Sequence, residues 1–332
     1  MTEPMHVWFL DTVHHTLQDR LKAAGMACHD GTQLTTESLI AKAKQQDPKV
    51  EGLVLRSRLP MDASTLDQLP DLRWIARSGS GLENIDMAWC DAHNVDVFSS
   101  PEGNRDAVGE HTVGMLLSLL HRIHLGHASV QRGEWLREVH RGRELGAMTV
   151  GIVGYGHMGH AFAQRLAGFG CRVLAYDKHK DGWGESPTVG KPHPHVTPVG
   201  LKTMLQEADV VSLHLPWTEE TNGLVDDAWF EQWAKPIVLL NTSRGGIVRS
   251  EALLRSLDRG LVTMAGLDVV DTETRSLEGV ARGDSFKRLS RHERVLFTPH
   301  VAGWTQESLV SLGAVLADKV LNAWSADGTK KP

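Results

Sequence analysis

The stretch TVGIVGYGHMGHAFAQRLAGFG, residues 149–170, decides the fold of this chain. Its apolar start, TVGIV, predicts a buried strand, and the pattern from about 158 to 168 predicts an amphipathic helix. Between them Gly154, Gly156 and Gly159 have the GxGxxG spacing. In such a turn the first glycine allows a tight bend, the second lets a pyrophosphate approach, and the third lets helix and strand pack. The stretch therefore predicts the first βα unit of a dinucleotide-binding sheet, with the helix N-terminus facing the phosphates.

The next strand pattern, RVLAYD at 172–177, ends in Asp177, which lies 18 residues after Gly159. A carboxylate at this position accepts hydrogen bonds from the ribose hydroxyls and repels the 2′-phosphate of NADP. We therefore predict NAD as the cofactor. The tripeptide KHK at 178–180 would tolerate some NADP, but we interpret it as surface charge. The alternative is a glycine-rich turn that binds nothing, and the strand, helix and acid around the turn argue against it.

Further apolar runs alternate with helical patterns on both sides of this stretch. Downstream, strand patterns lie at 209–216, 236–243, 264–270 and 295–300. Upstream, they lie at 6–11, 51–57, 73–78 and 95–100, with helical patterns at 15–25, 35–45 and 62–69. Alternation of this kind produces a parallel sheet with helices on both faces. The predicted fold class is α/β with two doubly wound parallel-sheet domains, a flavodoxin-like domain and a Rossmann domain.

Three other segments connect or flank the sheets. Residues 99–126 predict one long apolar helix, and 305–328 predict an amphipathic closing helix that returns to the first domain. The Gly- and Pro-rich stretch at 182–198 predicts an extended loop. The helix at about 107–125 contains more Leu and Val than one domain face can cover, which predicts an isologous homodimer. The alternative is that this helix is buried wholly between the two domains.

Composition and charge limit the function classes. The chain of 332 residues has a formal net charge of -6, and no basic tract predicts binding to nucleic acid or to an anionic membrane. Cys28, Cys90 and Cys171 lack a CxxC spacing, which favours free thiols in a reducing cytoplasm over disulfides or a zinc site. No signal peptide and no membrane-spanning apolar run is recognisable. We expect a cytoplasmic protein with a small-molecule ligand and no metal.

Three polar stretches follow strands of the second sheet, where open α/β sheets bind ligands. They are NTSRGG (241–246), GLDVVDTE (266–273) and TPHVAGWT (298–305). His300 can exchange a proton with a hydroxyl or carbonyl, Glu273 can fix its tautomer, and Arg244 can bind a carboxylate through two hydrogen bonds. Each residue alone is more often structural or solvated. Their joint occurrence beside a dinucleotide turn predicts an acid/base centre.

The ordered set of GYGHMG, Asp177, HLP (214–216), NTSRGG, GLDVVDTE and TPHVAG resembles the D-isomer-specific 2-hydroxyacid dehydrogenases along nearly the whole chain. In that family an arginine binds and polarises the substrate, a glutamate orients a histidine, and the histidine is the acid/base. The resemblance assigns these catalytic roles to Arg244, Glu273 and His300. It is closest to the D-3-phosphoglycerate dehydrogenases, in a short form that ends before a C-terminal regulatory domain.

The resemblance also implies domains and binding residues. Residues 1–103 with 304–332 would form the substrate domain, and 104–303 the NAD-binding domain. SGSGLEN at 78–84 resembles the substrate-carboxylate loop, whose consecutive N–H groups form an anion-binding nest. The implied cofactor-binding residues are Gly154, Gly156, His157, Met158, Gly159, Asp177, His214, Pro216, Thr221, Thr242, Ser243, Asp268 and Gly303. The implied substrate-binding residues are Arg56, Ser57, Arg77, Ser78, Gly79, Ser80, Gly81, Asn104 and Arg137.

The arginines bear on the substrate. The substrate hypothesis of 3-phosphoglycerate rests on Arg56 and Arg58 in LRSR, Arg77 and Arg137, since its phosphate needs cations besides Arg244. All but Arg58 align with anion-binding positions of the D-3-phosphoglycerate dehydrogenases. The alternative is reduction of glyoxylate, hydroxypyruvate or another small 2-keto acid, which needs only the carboxylate site. A remote alternative is a non-catalytic NAD-sensing protein, because fold does not determine function.

The sequence departs from the family pattern at several places. Thr274 replaces the proline that commonly follows the catalytic glutamate, and Trp217 replaces a leucine after HLP. The loop after Asp177 and the segment between Glu273 and His300 are longer than usual. These departures bear on loop geometry and substrate size and leave the three catalytic residues intact.

Overall fold

The computed structural model describes residues 3–179, 191–273 and 283–331. The chain divides into two compact units. The terminal unit comprises the residues up to Asn104 and those from Trp304 onward, and the central unit comprises Arg105–Gly303. Two positions discussed above, Lys180 and Thr274, lie outside the described residues.

A five-stranded parallel sheet forms the terminal unit. Its strands are β1 (His6–Phe9), β2 (Ala27–Asp30), β3 (Gly52–Leu55), β4 (Trp74–Arg77) and β5 (Asp96–Ser99). The helices between them are α1 (His15–Ala23), α2 (Thr36–Gln45), α3 (Ala63–Leu66) and α4 (Met87–Ala92). The strand order β2-β1-β3-β4-β5 is that of flavodoxin-like sheets, and the four residues of β3 are all buried, as expected for a central parallel strand.

Helix α12 (Gln306–Ala323) completes the terminal unit. It begins with a capping box, in which the Thr305 side chain accepts the N–H of Ser308 and the Ser308 side chain accepts the N–H of Thr305. Its Leu316 and Val320 are fully buried in the core beside β1 and β4. The capping box therefore attaches Thr305 to a helix that is packed in the core.

The prediction of one continuous helix over 99–126 is wrong. Helix α5 (Pro101–Leu120) ends before Arg122, whose φ of 54° is left-handed, and α6 (Ile123–Gln131) begins after it. The apolar spacing fits both helices, and no glycine or proline marks the break. The face formed by Met115, Leu116, Leu119 and Leu120, each at most 3% exposed, is covered within the core of the central unit. The reason given above for a homodimer therefore fails for this helix.

A seven-stranded parallel sheet forms the central unit. Its strands are β6 (Thr149–Val153), β7 (Arg172–Tyr176), β8 (Val196–Pro198), β9 (Val210–Leu213), β10 (Ile237–Asn241), β11 (Val262–Leu267) and β12 (Val295–Phe297). Its further helices are α7 (His157–Leu166), α8 (Leu201–Glu207), α9 (Asp227–Glu231), α10 (Ser250–Asp258) and α11 (Asp284–Ser290). The order β12-β11-β10-β9-β6-β7-β8 is the Rossmann order extended by one strand. The predicted fold class is confirmed.

The prediction of an extended loop over 182–198 is wrong for its last residues, which the structure describes. Val196–Pro198 form β8, which pairs with β7 and lies at the edge of the sheet. Pro198 is tolerated there because a proline on an edge strand removes no hydrogen bond between neighbouring strands. The flanking prolines of KPHPHVTP obscured this short strand in the sequence.

The described residues also bear on thiols, membranes and metals. The three cysteines are free thiols, and burial raises the pKa of Cys28 and Cys90 to about 11, so that these two stay protonated and unreactive near neutral pH. No described helix has the length and apolarity needed to cross a membrane. Within the same residues, no group of three or more His, Cys, Asp or Glu side chains is arranged to hold a metal ion.

Candidate active site

The glycine turn connects β6 to α7. A Cβ on Gly159 would lie 2.1 Å from the carbonyl oxygen of Gly154, so only glycine lets the helix approach the turn. Gly154 has a φ of 90° and lies against the backbone of His214. A Cβ on Gly156 would meet no atom within 4 Å, which leaves space for a ligand at the N-cap of α7. Met158 is the second residue of this helix. The turn fits a pyrophosphate.

Asp177 follows β7 beside the same turn. Its carboxylate oxygens accept the N–H of Tyr155 at 2.9 Å and the N–H of His179 at 3.0 Å. Both bonds orient a half-buried carboxylate at the position where a Rossmann unit binds the ribose. The geometry of turn and acid together fits NAD.

Several predicted cofactor residues have side chains that are engaged within the protein. His214 is 8% exposed, its Nε2 lies 2.9 Å from Ser212 Oγ, and burial lowers its pKa to about 3, so the ring is neutral. Thr221 donates to the carbonyl of Pro216 at 2.6 Å. The hydroxyl of Thr242 lies 3.1 Å from that of Thr112. Their contacts with a cofactor stay predictions.

The loop after β10 presents Arg244. Asn241 is fully buried, and its side chain accepts the Ser243 hydroxyl at 2.8 Å and donates to the carbonyl of Arg244 at 3.0 Å. The Arg244 guanidinium donates to the carbonyl of Ser243 at 2.7 Å and is half-buried. Asn241, which the sequence analysis did not single out, therefore shapes the loop that carries the predicted arginine.

His300 and Glu273 form a close pair. Nδ1 of His300 lies 2.6 Å from Oε1 of Glu273, and both side chains are largely buried. His300 has a φ of 56°, a left-handed conformation that is uncommon for a residue with a side chain and is concentrated at functional sites. The turn that follows β12 therefore presents an oriented imidazole.

The carboxylate of Asp268 holds the turn that contains His300. This residue is 2% exposed, and its carboxylate accepts the hydroxyl of Thr298 at 2.5 Å and the N–H groups of Val301 and Ala302, each at 2.9 Å. The carboxylate is directed at the turn, and its predicted contact with a cofactor stays a prediction. Since Thr298 donates its only hydroxyl proton to Asp268, His111 Nε2 donates to Thr298 at 3.0 Å. Sequence reasoning missed His111 and Thr298, because they lie far apart in the sequence and belong to no motif.

In the terminal unit the loop after β4 is tied down at several atoms. The N–H of Ser78 donates to the carbonyl of Leu55 at 2.8 Å, and the N–H of Gly79 donates to Ser100 Oγ at 3.3 Å. Ser80 Oγ donates to Asn104 at 2.9 Å. The first two N–H groups of the predicted nest are thus engaged, which leaves those of Ser80 and Gly81 as its candidate anion donors.

The predicted arginines have different environments. Arg77 ends β4 and is half-buried, with its guanidinium against Gly79. Arg56, followed by the half-buried Ser57, lies directly after β3 with its guanidinium carbon 4.2 Å from the ring centroid of Trp304. Arg137 is exposed in the central unit and precedes a 3-10 turn at Glu138–His140. Gly303, also predicted to line the cofactor, is half-buried at the end of that unit.

Comparison with known proteins identifies the family. Residues 113–302 match the family described as D-isomer specific 2-hydroxyacid dehydrogenase, NAD binding domain. The chain is 30% identical to a D-3-phosphoglycerate dehydrogenase of Archaeoglobus fulgidus over 96% of its own length and 57% of that protein's length. It is 31% identical to a hydroxypyruvate reductase of Thermotoga maritima over 82% of this chain and 84% of the relative.

A solved structure gives the same result. The D-lactate dehydrogenase of Aquifex aeolicus, complexed with NAD and lactic acid, superimposes with a TM-score of 0.78 at 25% identity over 95% of this chain and 94% of the other. The prediction of NAD as the cofactor is confirmed. The glycine turn, its acid and the matched residues together place this chain in the D-isomer-specific 2-hydroxyacid dehydrogenases, a family of NAD-dependent oxidoreductases that act on a CH–OH group.

Proposed function

We propose that this chain catalyses the reversible oxidation of a D-2-hydroxy acid to the 2-keto acid. The observation that carries the proposal is the 2.6 Å bond between Glu273 and His300, in a central unit that also contains the glycine turn and Asp177. An oriented imidazole is the group that a proton exchange with a C2 oxygen requires. Bound NAD supplies the redox chemistry, by exchanging a hydride with C2.

His300 is the group that moves the proton. Because Nδ1 is engaged with Glu273, Nε2 is the ring atom that takes the proton of the C2 hydroxyl during oxidation and returns it to the keto oxygen during reduction. Arg244 binds the carboxylate of the substrate through its guanidinium fork and polarises the neighbouring carbonyl. Asp268 holds the turn on which His300 lies, so the imidazole reaches the substrate oxygen in one orientation.

Replacement of the acid/base tests this assignment. His300→Asn should lower kcat by about 10²- to 10⁴-fold, the usual contribution of a positioned proton-transfer group. Binding of NADH, followed by its fluorescence, should stay unchanged. His121→Asn, which replaces an exposed histidine of the same unit, is the matched control. A kcat for His300→Asn within tenfold of wild type would remove this histidine from the chemistry.

The proposed substrate is 3-phosphoglycerate. In support, Leu55 at the end of β3 pairs with Arg77 at the end of β4, so Arg77 and Arg56, which directly follows β3, lie at the carboxyl ends of two neighbouring strands. Two cations at the carboxyl edge of a parallel sheet are suited to an anion that Arg244 does not neutralise. Glyoxylate or hydroxypyruvate reduction is the second candidate, and the relative from Thermotoga maritima favours it.

The two substrates can be separated by arginine variants. A charge-assisted hydrogen bond is worth roughly 1.5 to 3 kcal/mol, so Arg77→Ala and Arg137→Ala should each lower kcat/KM for 3-phosphoglycerate by about 10- to 150-fold. Glyoxylate reduction should barely change, and Arg244→Ala should impair both reactions. Equal losses with both substrates, or no wild-type activity on 3-phosphoglycerate, would leave the small 2-keto acid as the substrate.

A homodimer is proposed on the exposed apolar residues of α6 and of the segment that follows it. Ile123 in α6 is 57% exposed, and Trp135 and Val139 after it are 81% and 56% exposed. Large exposed apolar side chains that follow one another along a segment are typical of an interface. Light scattering should give the mass of a dimer at micromolar concentration, and Trp135→Ser should shift it towards the monomer. A monomeric wild type would refute the dimer.

A further inference from the structure

The segment LRSR (55–58) contains two arginines, Arg56 and Arg58. The guanidinium of Arg58 donates to the carboxylate of Asp11 at 3.2 Å and to the carbonyl of Leu34 at 2.7 Å, and it also bonds the carbonyl of Leu10. Three acceptors from its own unit hold this side chain. Arg58 therefore has a structural role.

The backbone of Arg56 is fixed on both sides. Its N–H donates to Asp11 at 2.6 Å, and its carbonyl accepts from the side chain of Asn84 at 3.0 Å. Asn84 also donates to the carbonyl of Leu59 at 3.1 Å, so one side chain binds both ends of the segment from Arg56 to Leu59. The Cα–Cβ direction of Arg56 is thus set by the fold before any ligand binds.

An aromatic ring then orients the side chain. The Arg56 guanidinium carbon lies 4.2 Å from the ring centroid of Trp304, which directly precedes the capping box of α12. Trp304 is 47% exposed. Stacking on a ring face occupies the π surface of a guanidinium and leaves its N–H groups in their own plane, where they can donate to an anion.

We propose that Trp304 is a positioning residue that holds Arg56 for the distal phosphate of the substrate. The inference rests on the proposed function and adds a specificity-determining residue to it. Trp304 acts through Arg56, so its contribution is restricted to substrates with a second anion. A 2-keto acid without a phosphate gains nothing from the stack.

The test compares Trp304→Leu with Trp304→Phe on two substrates. A cation–π contact at an exposed position contributes about 2- to 5-fold in binding, so Trp304→Leu should raise KM for 3-phosphoglycerate by that factor with kcat unchanged. Trp304→Phe keeps a ring face and should recover most of the loss. KM for glyoxylate should stay the same in both variants.

A double-mutant cycle with Arg56→Gln isolates the pair. If Trp304 acts through Arg56, Trp304→Leu should have no further effect in the Arg56→Gln background. Trp89→Leu is the control, because Trp89 stacks on His93 at 3.9 Å between ring centroids in the same unit and should leave both KM values unchanged. Additive effects of the two substitutions, or an equal rise in KM for glyoxylate, would overturn the proposal.

Failure of the proposal that 3-phosphoglycerate is the substrate can be distinguished from failure of the positioning role of Trp304. A wild type that does not turn over 3-phosphoglycerate refutes that substrate, and the compound then serves as an inhibitor of glyoxylate reduction. The same cycle is measured on its inhibition constant. Coupling between positions 56 and 304 in that constant supports the positioning role, and its absence overturns it.

Discussion

The two units hold their candidate functional groups by different physical means. In the central unit His300 is bonded to Glu273, and its turn rests on the carboxylate of Asp268, which is 2% exposed and accepts three hydrogen bonds. In the terminal unit Arg56 is oriented by a half-exposed indole. Buried charged networks are costly to disturb, whereas exposed contacts contribute little each. We therefore expect substitutions around His300 in the central unit to lower kcat, and substitutions around Arg56 in the terminal unit to raise KM.

The largest effect should come from the glycine turn. Gly159→Ala would bring a Cβ to 2.1 Å from a backbone oxygen, which cannot move aside as a side chain can. Overpacking of this kind costs about 1 to 3 kcal/mol of unfolding free energy. The displaced turn should also weaken NADH binding more than tenfold, measured by fluorescence titration.

Two further glycine variants serve as comparisons for Gly159→Ala. Gly168→Ala meets no atom within 4 Å and should leave stability and NADH binding unchanged. Gly79→Ala, in the terminal unit, meets the end of the Arg77 side chain at 1.7 Å and has a φ of 140°, so it should be destabilising without affecting NADH binding. An equal loss of NADH binding in Gly79→Ala and Gly159→Ala would contradict the difference between the units.

The next effect concerns the two buried aspartates. Asp268→Asn removes a charge that accepts three hydrogen bonds, and a bond to a charged group contributes roughly 1.5 to 3 kcal/mol. We expect kcat to fall about 10- to 150-fold while KM changes little. Asp11→Asn, which loosens Arg56, should instead raise KM for the substrate. If both variants lower kcat alone, the division of roles between the units is wrong.

The functional motifs can be predicted from the sequence, but the long-range contacts that hold them in place cannot. The glycine turn and the ends of β10, β11 and β12 were predicted because local spacing encodes them. The bond between Glu273 and His300 was also anticipated. In contrast, the break at Arg122 leaves the apolar period intact, and the contact of His111 with Thr298 joins residues 187 positions apart. Such long-range contacts depend on tertiary packing, which no single segment encodes.

The pH dependence of stability offers a third comparison. The pKa of His214 is lowered by burial to about 3, so the folded state keeps the ring neutral while the unfolded chain takes up a proton below pH 6.5. Its contribution is therefore complete above pH 6.5 and is lost as the pH falls towards 3. Between pH 7 and pH 5 the loss is about 2 kcal/mol, at 1.4 kcal/mol per pH unit.

Urea unfolding at the two pH values measures this contribution. His214→Asn should lose about 2 kcal/mol less than wild type over the interval, since Asn does not titrate. His179→Asn, which replaces an exposed histidine of the same unit, should behave as wild type. An unchanged pH dependence in His214→Asn would show that this ring is not held neutral by burial.

The smallest effect is expected at Asp177. It tests whether the burial of a residue, or the unit to which it belongs, determines the kinetic effect of its substitution. Asp177 belongs to the central unit, but it is half-buried and bonds only backbone N–H groups in the described contacts. Its substitution should therefore resemble one in the terminal unit, with kcat retained. Removing one uncompensated repulsion is worth about 1.4 kcal/mol, so Asp177→Ala should raise the efficiency with NADP relative to NAD at least tenfold.

The charge itself needs a control. Asp227→Ala removes an equal charge from α9, where the carboxylate pairs with Arg255 at 2.7 Å, and it should not alter cofactor preference. Asp177→Asn keeps the shape without the charge, so it separates repulsion of the 2′-phosphate from loss of the bond to Tyr155. If neither variant at position 177 shifts the ratio of NADP to NAD efficiency, this carboxylate does not face the ribose. If Asp177→Ala lowers kcat as strongly as Asp268→Asn, membership of the central unit, and not burial, determines the kinetic effect.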